Sequence, residues 1–344
     1  MKKLLALSLL AVMAISFVGC QNNSSAYSEV GNTSVAVSSD DSPADGSGES
    51  SVQSSSEKSK SVGRLNFSDY ESYEVSDIEK VSHSYEDASY QSEPESRCET
   101  YEFYYTSDGY QIKAYISIPT AVIESQEPCK CMLYNRGGHW NYTSQDPDFL
   151  ANMCAVTGRV VVGCELRGDN GCEGFDEFGG DELHDVFRLI DLCDNKFSFV
   201  NMDDFCVLGI SRGGMETYMT AREDKRVKKI IVAGGISDLG SQYNEREDMQ
   251  EMLRGCIGGT PDEKPEEYKK RSAVYWADEI KIPVLLIHSK GDPRVKYETN
   301  AEALYNKLKD STECTFISHD DDYHGINPGE DSEDIPEIMK FLND

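Results

Sequence analysis

The chain has 344 residues, 38% hydrophobic and 28% charged, with a formal net charge of −29. That length allows one sizeable domain with additions. So acidic a protein is repelled by nucleic acid and by bare anionic lipid, which excludes polynucleotide binding; the acidity itself reads as a solvated surface rather than an acidic docking face.

Residues 1–20, MKKLLALSLLAVMAISFVGC, join a lysine pair to a short apolar run and then to Val18-Gly19-Cys20. A charged start before a short apolar run is an export signal. The run is too short and too close to the N-terminus to be read first as a spanning helix. A small residue before cysteine resembles the bacterial lipoprotein signal, although Phe17 stands where leucine is usual. The resemblance implies lipidation of Cys20 and a membrane anchor on the outer face of the cell membrane. Residues 21–62 are Ser, Asp, Glu and Gly with almost no large apolar side chain. Such a segment cannot offset its ordering entropy and is expected to be a flexible tether. Residues 63–97 form an acidic, Tyr-rich arm whose sparse apolar residues leave open whether it packs on the domain.

From Cys98 to the end, residues 98–344, the pattern is globular. TYEFYYTSDGYQIKAYISIP predicts a hairpin around Ser107-Asp108-Gly109. CKCMLYNRGG and GRVVVGCELRG are short apolar runs that end in Gly-containing loops. DELHDVFRLIDLCD has helical spacing. Then come strand DFCVLGI, helix GGMETYMTARE, strand VKKIIVAGG, a mixed helical stretch 241–279, strand PVLLIHS, helix ETNAEALYNKLKD, strand CTFISH and helix EDIPEIMKFLND. Strands alternating with helices, the later strands nearly all apolar, predict an α/β fold: a mostly parallel central sheet with helices on both faces.

Cysteines 131, 164 and 206 sit inside apolar strand runs, where the thiol is a small buried apolar group. Mostly free thiols are expected, with one or two bridges open among Cys98, Cys129, Cys172 and Cys256. Cys129-Lys130-Cys131 lacks a second pair at metal-ligand spacing, so neither a zinc site nor any other cofactor is expected.

Gly209-Ile210-Ser211-Arg212-Gly213 is a weak motif alone, but it follows an apolar strand and opens a helix. That is the setting of a nucleophile elbow, with the helix N-terminus favouring negative charge at the reaction centre. A serine nucleophile needs a base, and the base needs an orienting carboxylate. His324, in HDDDYHGI after the last strand, is the candidate base. His288 and His319 lie in or at the end of strands, His139 and His184 precede the serine, and His83 is in the arm. Asp292, in the loop directly after PVLLIHS, is the candidate acid, because ligands gather at the C-terminal ends of parallel strands. Asp320, Asp321 and Asp322 compete, with a solvated turn as their simpler reading. For the oxyanion hole, one donor is the backbone N–H of Arg212 and the other comes from the loop Arg136-Gly137-Gly138. The two arginine side chains either assist or form ordinary ion pairs.

These residues resemble the catalytic domain of the prolyl oligopeptidase family of serine peptidases, within the α/β-hydrolase superfamily. The resemblance runs from about residue 98 to the end through YTSDGYQIKAYISIP, LYNRGG, VVVGCELRGDNG, FGGDELHDVFRLID, LGISRGG, GGTPDEKPEEYKKRSAVYWADEIKIPVLLIHSKGDPRV and DDDYHGI. It implies Ser211 as nucleophile, Asp292 as acid and His324 as base. Family peptidases usually carry a β-propeller before this domain, which residues 21–97 cannot form. Several members also place a tyrosine hydroxyl in the oxyanion hole, where this chain has Arg136. The expected substrate is a small peptide; the alternative is a carboxylic ester, such as an acyl group on a carbohydrate. A reading from another class, a non-catalytic surface lipoprotein, is disfavoured by the complete Ser, Asp and His set.

Overall fold

The computed structural model describes residues 75–82, 94–139, 143–327 and 331–344. The export signal, Cys20, the tether and His83 lie outside the described residues. One sheet is built from β1 (Val75–Lys80), β2 (Cys98–Ser107), β3 (Tyr110–Pro119), β4 (Cys129–Asn135), β5 (Val160–Cys164), β6 (Val200–Ile210), β7 (Lys229–Ala233), β8 (Val284–Ser289) and β9 (Cys314–His319). Their order is β1-β2-β3-β5-β4-β6-β7-β8-β9. The pairs from β5 through β9 are parallel, and those joining β1, β2, β3 and β5 are antiparallel.

The hairpin forms where the sequence places it. Asp108 (φ 49°) and Gly109 (φ 88°) both take positive φ between Ser107 and its partner Tyr110. A two-residue turn of that hand matches the strand twist. In the arm, Val75–Lys80 pairs antiparallel with β2, so the sheet begins before Cys98.

Successive strand residues feed two separate cores. Leu133, Val162, Val207, Ile230 and Leu286 pack on one face with Val186, Leu189 and Ile190 of helix Leu183–Asn195 and Met215 of helix Arg212–Glu223. Met132, Val161, Leu208, Ile231 and Leu285 pack on the other with Leu150 and Cys154 of helix Pro147–Thr157 and Ile338 of helix Asp334–Asn343. Both faces are covered, which is why these strands read as unbroken apolar runs.

Helix Pro147–Thr157 was not foreseen, yet its ends carry standard signals. Asp146 accepts from the Asp148 N–H (2.9 Å), Pro147 opens the helix, and Gly158 closes it at φ 65°. Every cysteine among the described residues is a free thiol, so none of the candidate bridges forms. Local partners engage two of them: Cys129 Sγ donates to Gly158 O (3.1 Å), and Cys256 Sγ lies 3.2 Å from His139 Nε2.

Candidate active site

Strand β6 ends at Ile210, and helix Arg212–Glu223 begins two residues later. Ser211 between them takes φ 59°, ψ −122°, a sparsely populated conformation for a non-glycine residue. Its backbone is held on both sides: Ser211 N–H donates to Ala233 O (3.1 Å), and Ser211 O accepts from Gly214 N–H (3.0 Å) and Ile236 N–H (3.1 Å). The flanking glycines allow the close approach. A Cβ on Gly213 would sit 2.0 Å from Asn135 O, and one on Gly209 would sit 2.2 Å from Gly213 O. The turn therefore presents a partly exposed Ser211 at the C-terminal edge of the sheet.

The loops after β8 and β9 meet at the same edge. His324 Nδ1 lies 2.7 Å from Asp292 Oδ2, while Asp292 Oδ1 accepts from the N–H groups of Arg294 (2.8 Å) and Val295 (3.1 Å). Burial alone would raise the Asp292 pKa; the His324 hydrogen bond and the two N–H groups outweigh it and hold the carboxyl below its usual range. The Asp292 side chain is fully buried, whereas His324 reaches solvent. Gly325, next to His324, sits against Ile210, next to Ser211, because a Cβ there would be 3.2 Å from the Ile210 side chain. The competing acids form a turn instead. Asp320 pairs with Lys290 (2.6 Å), and Asp321 Oδ1 accepts from Tyr323 N–H (3.1 Å).

Gly234, at the end of β7, makes room for this pair. Its φ is +56°, and a Cβ there would lie 3.2 Å from both Asp292 Oδ2 and His324 Nδ1. Gly234→Ala is expected to cost ~1–2 kcal/mol through the left-handed backbone. By displacing the pair it should also lower kcat about 10- to 100-fold. Thermal unfolding and steady-state kinetics on one preparation check both; wild-type kcat with lowered stability would separate the backbone cost from the chemistry.

Gly137 abuts Ser211: a Cβ on it would be 3.1 Å from Ser211 Cβ and 3.7 Å from Ser211 Oγ. The Arg136 and Arg212 side chains point elsewhere. Arg136 donates to Glu165 (2.8 Å), Asp169 (2.5 Å), Thr143 (3.2 Å) and Gly137 O (3.0 Å). Arg212 makes a bidentate pair with Asp176 (2.5 and 2.7 Å), and donates to Glu182 (3.1 Å) and Gly138 O (3.2 Å). Its Nε lies 2.8 Å from Glu216 Oε1, a charge contact without hydrogen-bond alignment. Both side chains thus form ion pairs, and they do so in the interior rather than on the acidic surface.

Sequence reasoning missed this network by assigning the acidic residues to solvent. Glu165, Asp169, Asp176, Glu182 and Glu216 are all buried around two guanidiniums. The carboxyls outnumber the two guanidiniums, and burial raises the pKa of several of them. Burial pushes Glu216 up to about 8. Burial and neighbouring Asp176 push Glu182 up to about 7 and Asp169 up to about 6. Asp176 resists its own burial because Arg212 grips it, and falls to about 2. The segment between Glu165 and Glu182 mixes glycine and acid, which by itself does not separate a buried loop from a solvated one.

The remaining histidines among the described residues make structural contacts. His288 Nε2 lies 2.8 Å from Val295 O and 3.4 Å from Asp292 Oδ2, and burial lowers its pKa. His319 pairs with Asp334 (2.6 Å), and His184 with Asp108 (2.7 Å). His139 is held neutral, its pKa pushed down to about 4 by burial against the partial compensation of Asp176.

Comparison with known proteins bears on the family and the fold. The family model described as the prolyl oligopeptidase family matches residues 145–344. The chain is 32% identical over 219 residues to the uncharacterized peptidase YtmA of Bacillus subtilis, covering 63% of this chain and 82% of that one. It is 27% identical over 206 residues to dipeptidyl-peptidase 5 of Porphyromonas gingivalis, covering 55% of this chain but only 29% of that protein. Among solved structures, acylaminoacyl peptidase of Pyrococcus horikoshii superposes with a TM-score of 0.62 at 22% identity, over 72% of this chain and 42% of that chain. Acetyl xylan esterase 1 of Thermoanaerobacterium sp. superposes with a TM-score of 0.55 at 19% identity, over 77% of this chain and 87% of that chain. These last two likenesses carry the fold alone. With a family match over more than half of its length, the chain belongs to the prolyl oligopeptidase family and is a serine-type hydrolase on the α/β-hydrolase fold.

Proposed function

We propose that this hydrolase cleaves peptide bonds through an acyl-enzyme, with Ser211 as nucleophile, His324 as base and Asp292 as the acid that orients it. The observation that carries the reading is the 2.7 Å contact of His324 Nδ1 with buried Asp292, on a loop that touches the elbow of Ser211. Asp292 keeps the proton on Nδ1, which leaves Nε2 free to take the serine proton. The tetrahedral intermediate places its oxyanion between the Arg212 N–H, at the first helical position, and a loop N–H from Gly137-Gly138. His324 then protonates the leaving amine, and water releases the acyl group by the same steps in reverse roles. The export signal and Cys20 support a lipid-anchored enzyme outside the cytoplasmic membrane, acting on small peptides there.

Ester hydrolysis is the second reading. The acetyl xylan esterase fold is matched over 87% of its own chain, against 42% for the acylaminoacyl peptidase. A panel of aminoacyl arylamides against short acyl arylesters decides between them. Measurable kcat/KM on arylamides is expected, and hydrolysis of the esters alone would replace the peptidase reading. A fluorophosphonate should label Ser211 under either reading. Folded wild type that stays unlabelled would exclude both.

A further inference from the structure

Two buried arginines grip the backbone of the loop beside the nucleophile, and neither can reach substrate. Their side chains are 3% and 2% exposed, and their donors are engaged by carboxylates and carbonyls. We propose that Arg212 and Arg136 are positioning residues that fix the peptide planes of Gly137 and Gly138, aiming the loop's N–H groups at the oxyanion. The proposal rests on Ser211 being the nucleophile.

The argument starts from peptide planarity. The Gly137 carbonyl is turned toward Arg136 Nη1 (3.0 Å) and Thr143 Oγ1 (2.6 Å). In a trans peptide the N–H of the next residue points the opposite way, so the Gly138 N–H is turned from the buried arginine. The Gly138 carbonyl is turned toward Arg212 Nη1 (3.2 Å), which orients the His139 N–H in the same manner. Gly137 and Gly138 are partly exposed where Arg136 and His139 are buried, so the loop shows its backbone to the open side next to Ser211. Two adjacent glycines make a soft segment that would otherwise sample many orientations. Preorganised donors are worth most when nothing has to reorient during the reaction.

Arg212 has a second property. Its own backbone N–H is the first oxyanion donor, and its guanidinium clamps the loop that supplies the other. One residue therefore couples both halves of the hole. Its fork reaches Gly138 after β4, Asp176 and Glu182 after β5, and Glu216 on its own helix. A lysine keeps the charge but has a single nitrogen and cannot span those partners together. Asp176 is bidentate and fixes the guanidinium plane, which makes the clamp rigid.

The test compares Arg212→Lys and Arg136→Lys with Arg159→Lys. Arg159 is also a buried arginine, bonded to Asp204 (2.6 Å) and Leu342 O (2.9 Å) beside the start of β5, at the opposite end of the strands. With p-nitrophenyl butyrate, Arg212→Lys is expected to lower kcat about 10- to 100-fold with KM within about threefold. Inhibition by butylboronic acid, which mimics the tetrahedral state, should weaken in proportion to kcat/KM. Fluorophosphonate should still reach full labelling of Ser211. Arg136→Lys carries the same expectation and serves if Arg212→Lys does not fold. Arg159→Lys should lose thermal stability and keep kcat. If wild type is labelled and both loop variants keep kcat and boronate inhibition within about threefold, the positioning role is overturned while the nucleophile reading stands. If folded wild type is not labelled, both fall.

Discussion

Ser211→Ala is expected to lower kcat about a million-fold, by analogy with other serine hydrolases. The substitution removes one oxygen and leaves the elbow intact. The bonds that hold Ser211 are main-chain bonds, to Ala233 O and from Gly214 and Ile236, and alanine keeps all three. Alanine also keeps the Cβ and therefore the strain of φ 59°, ψ −122°, so the melting temperature should hold to within a few degrees. Ser211→Gly removes the Cβ as well. Residual strain of this kind is worth about 1–3 kcal/mol, against a smaller entropic cost for glycine, so this variant should be at least as stable as the alanine variant. Both should resist fluorophosphonate. A kcat for Ser211→Ala within a hundredfold of wild type would mean that another group attacks the carbonyl.

The elbow could be read in the sequence because its requirements are local. A strand, a serine between glycines and a helix lie within twenty consecutive residues, and each leaves a compositional trace. The parallel sheet was legible for a related reason: burial on both faces makes the runs 205–208, 230–233 and 284–287 apolar. Asp292 and His324 stand far from Ser211 in the chain, yet the loop ends of β8 and β9 must lie on the same edge as that of β6 once the strands are parallel. What stayed hidden depends on tertiary placement. Nothing local distinguishes Glu216, fully buried beside Arg212, from the solvated glutamates that dominate so acidic a chain. The same holds for Asp176 and Glu182. Their burial follows from the Gly-rich segment between β5 and helix Leu183–Asn195 folding under the Arg136-Gly137-Gly138 loop, a contact between pieces about 40 residues apart. Strand β1 was obscure for the opposite reason, since only Val75 of its six residues is fully buried.

Asp292→Asn should lower kcat about 10⁴-fold, less than losing the serine, with the fold preserved. The structure dictates which way the new amide must face. One oxygen of Asp292 accepts from two backbone N–H groups, of Arg294 and Val295, and only an oxygen can fill that place. The asparagine NH₂ is therefore forced toward His324 Nδ1, where Asp292 Oδ2 now sits at 2.7 Å. A donor there demands an acceptor opposite it. His324 must move its proton from Nδ1 to Nε2, and Nε2 can no longer take the proton of Ser211. The defect is one of tautomer rather than of packing, so stability should change little while kcat collapses and KM moves much less. Fluorophosphonate labelling should slow in step with kcat, because it draws on the same proton transfer. Asn at 320, 321 or 322 should leave kcat within about threefold, since those side chains belong to the solvated turn. A collapse at one of those three positions, with Asp292→Asn active, would move the orienting carboxylate to that turn.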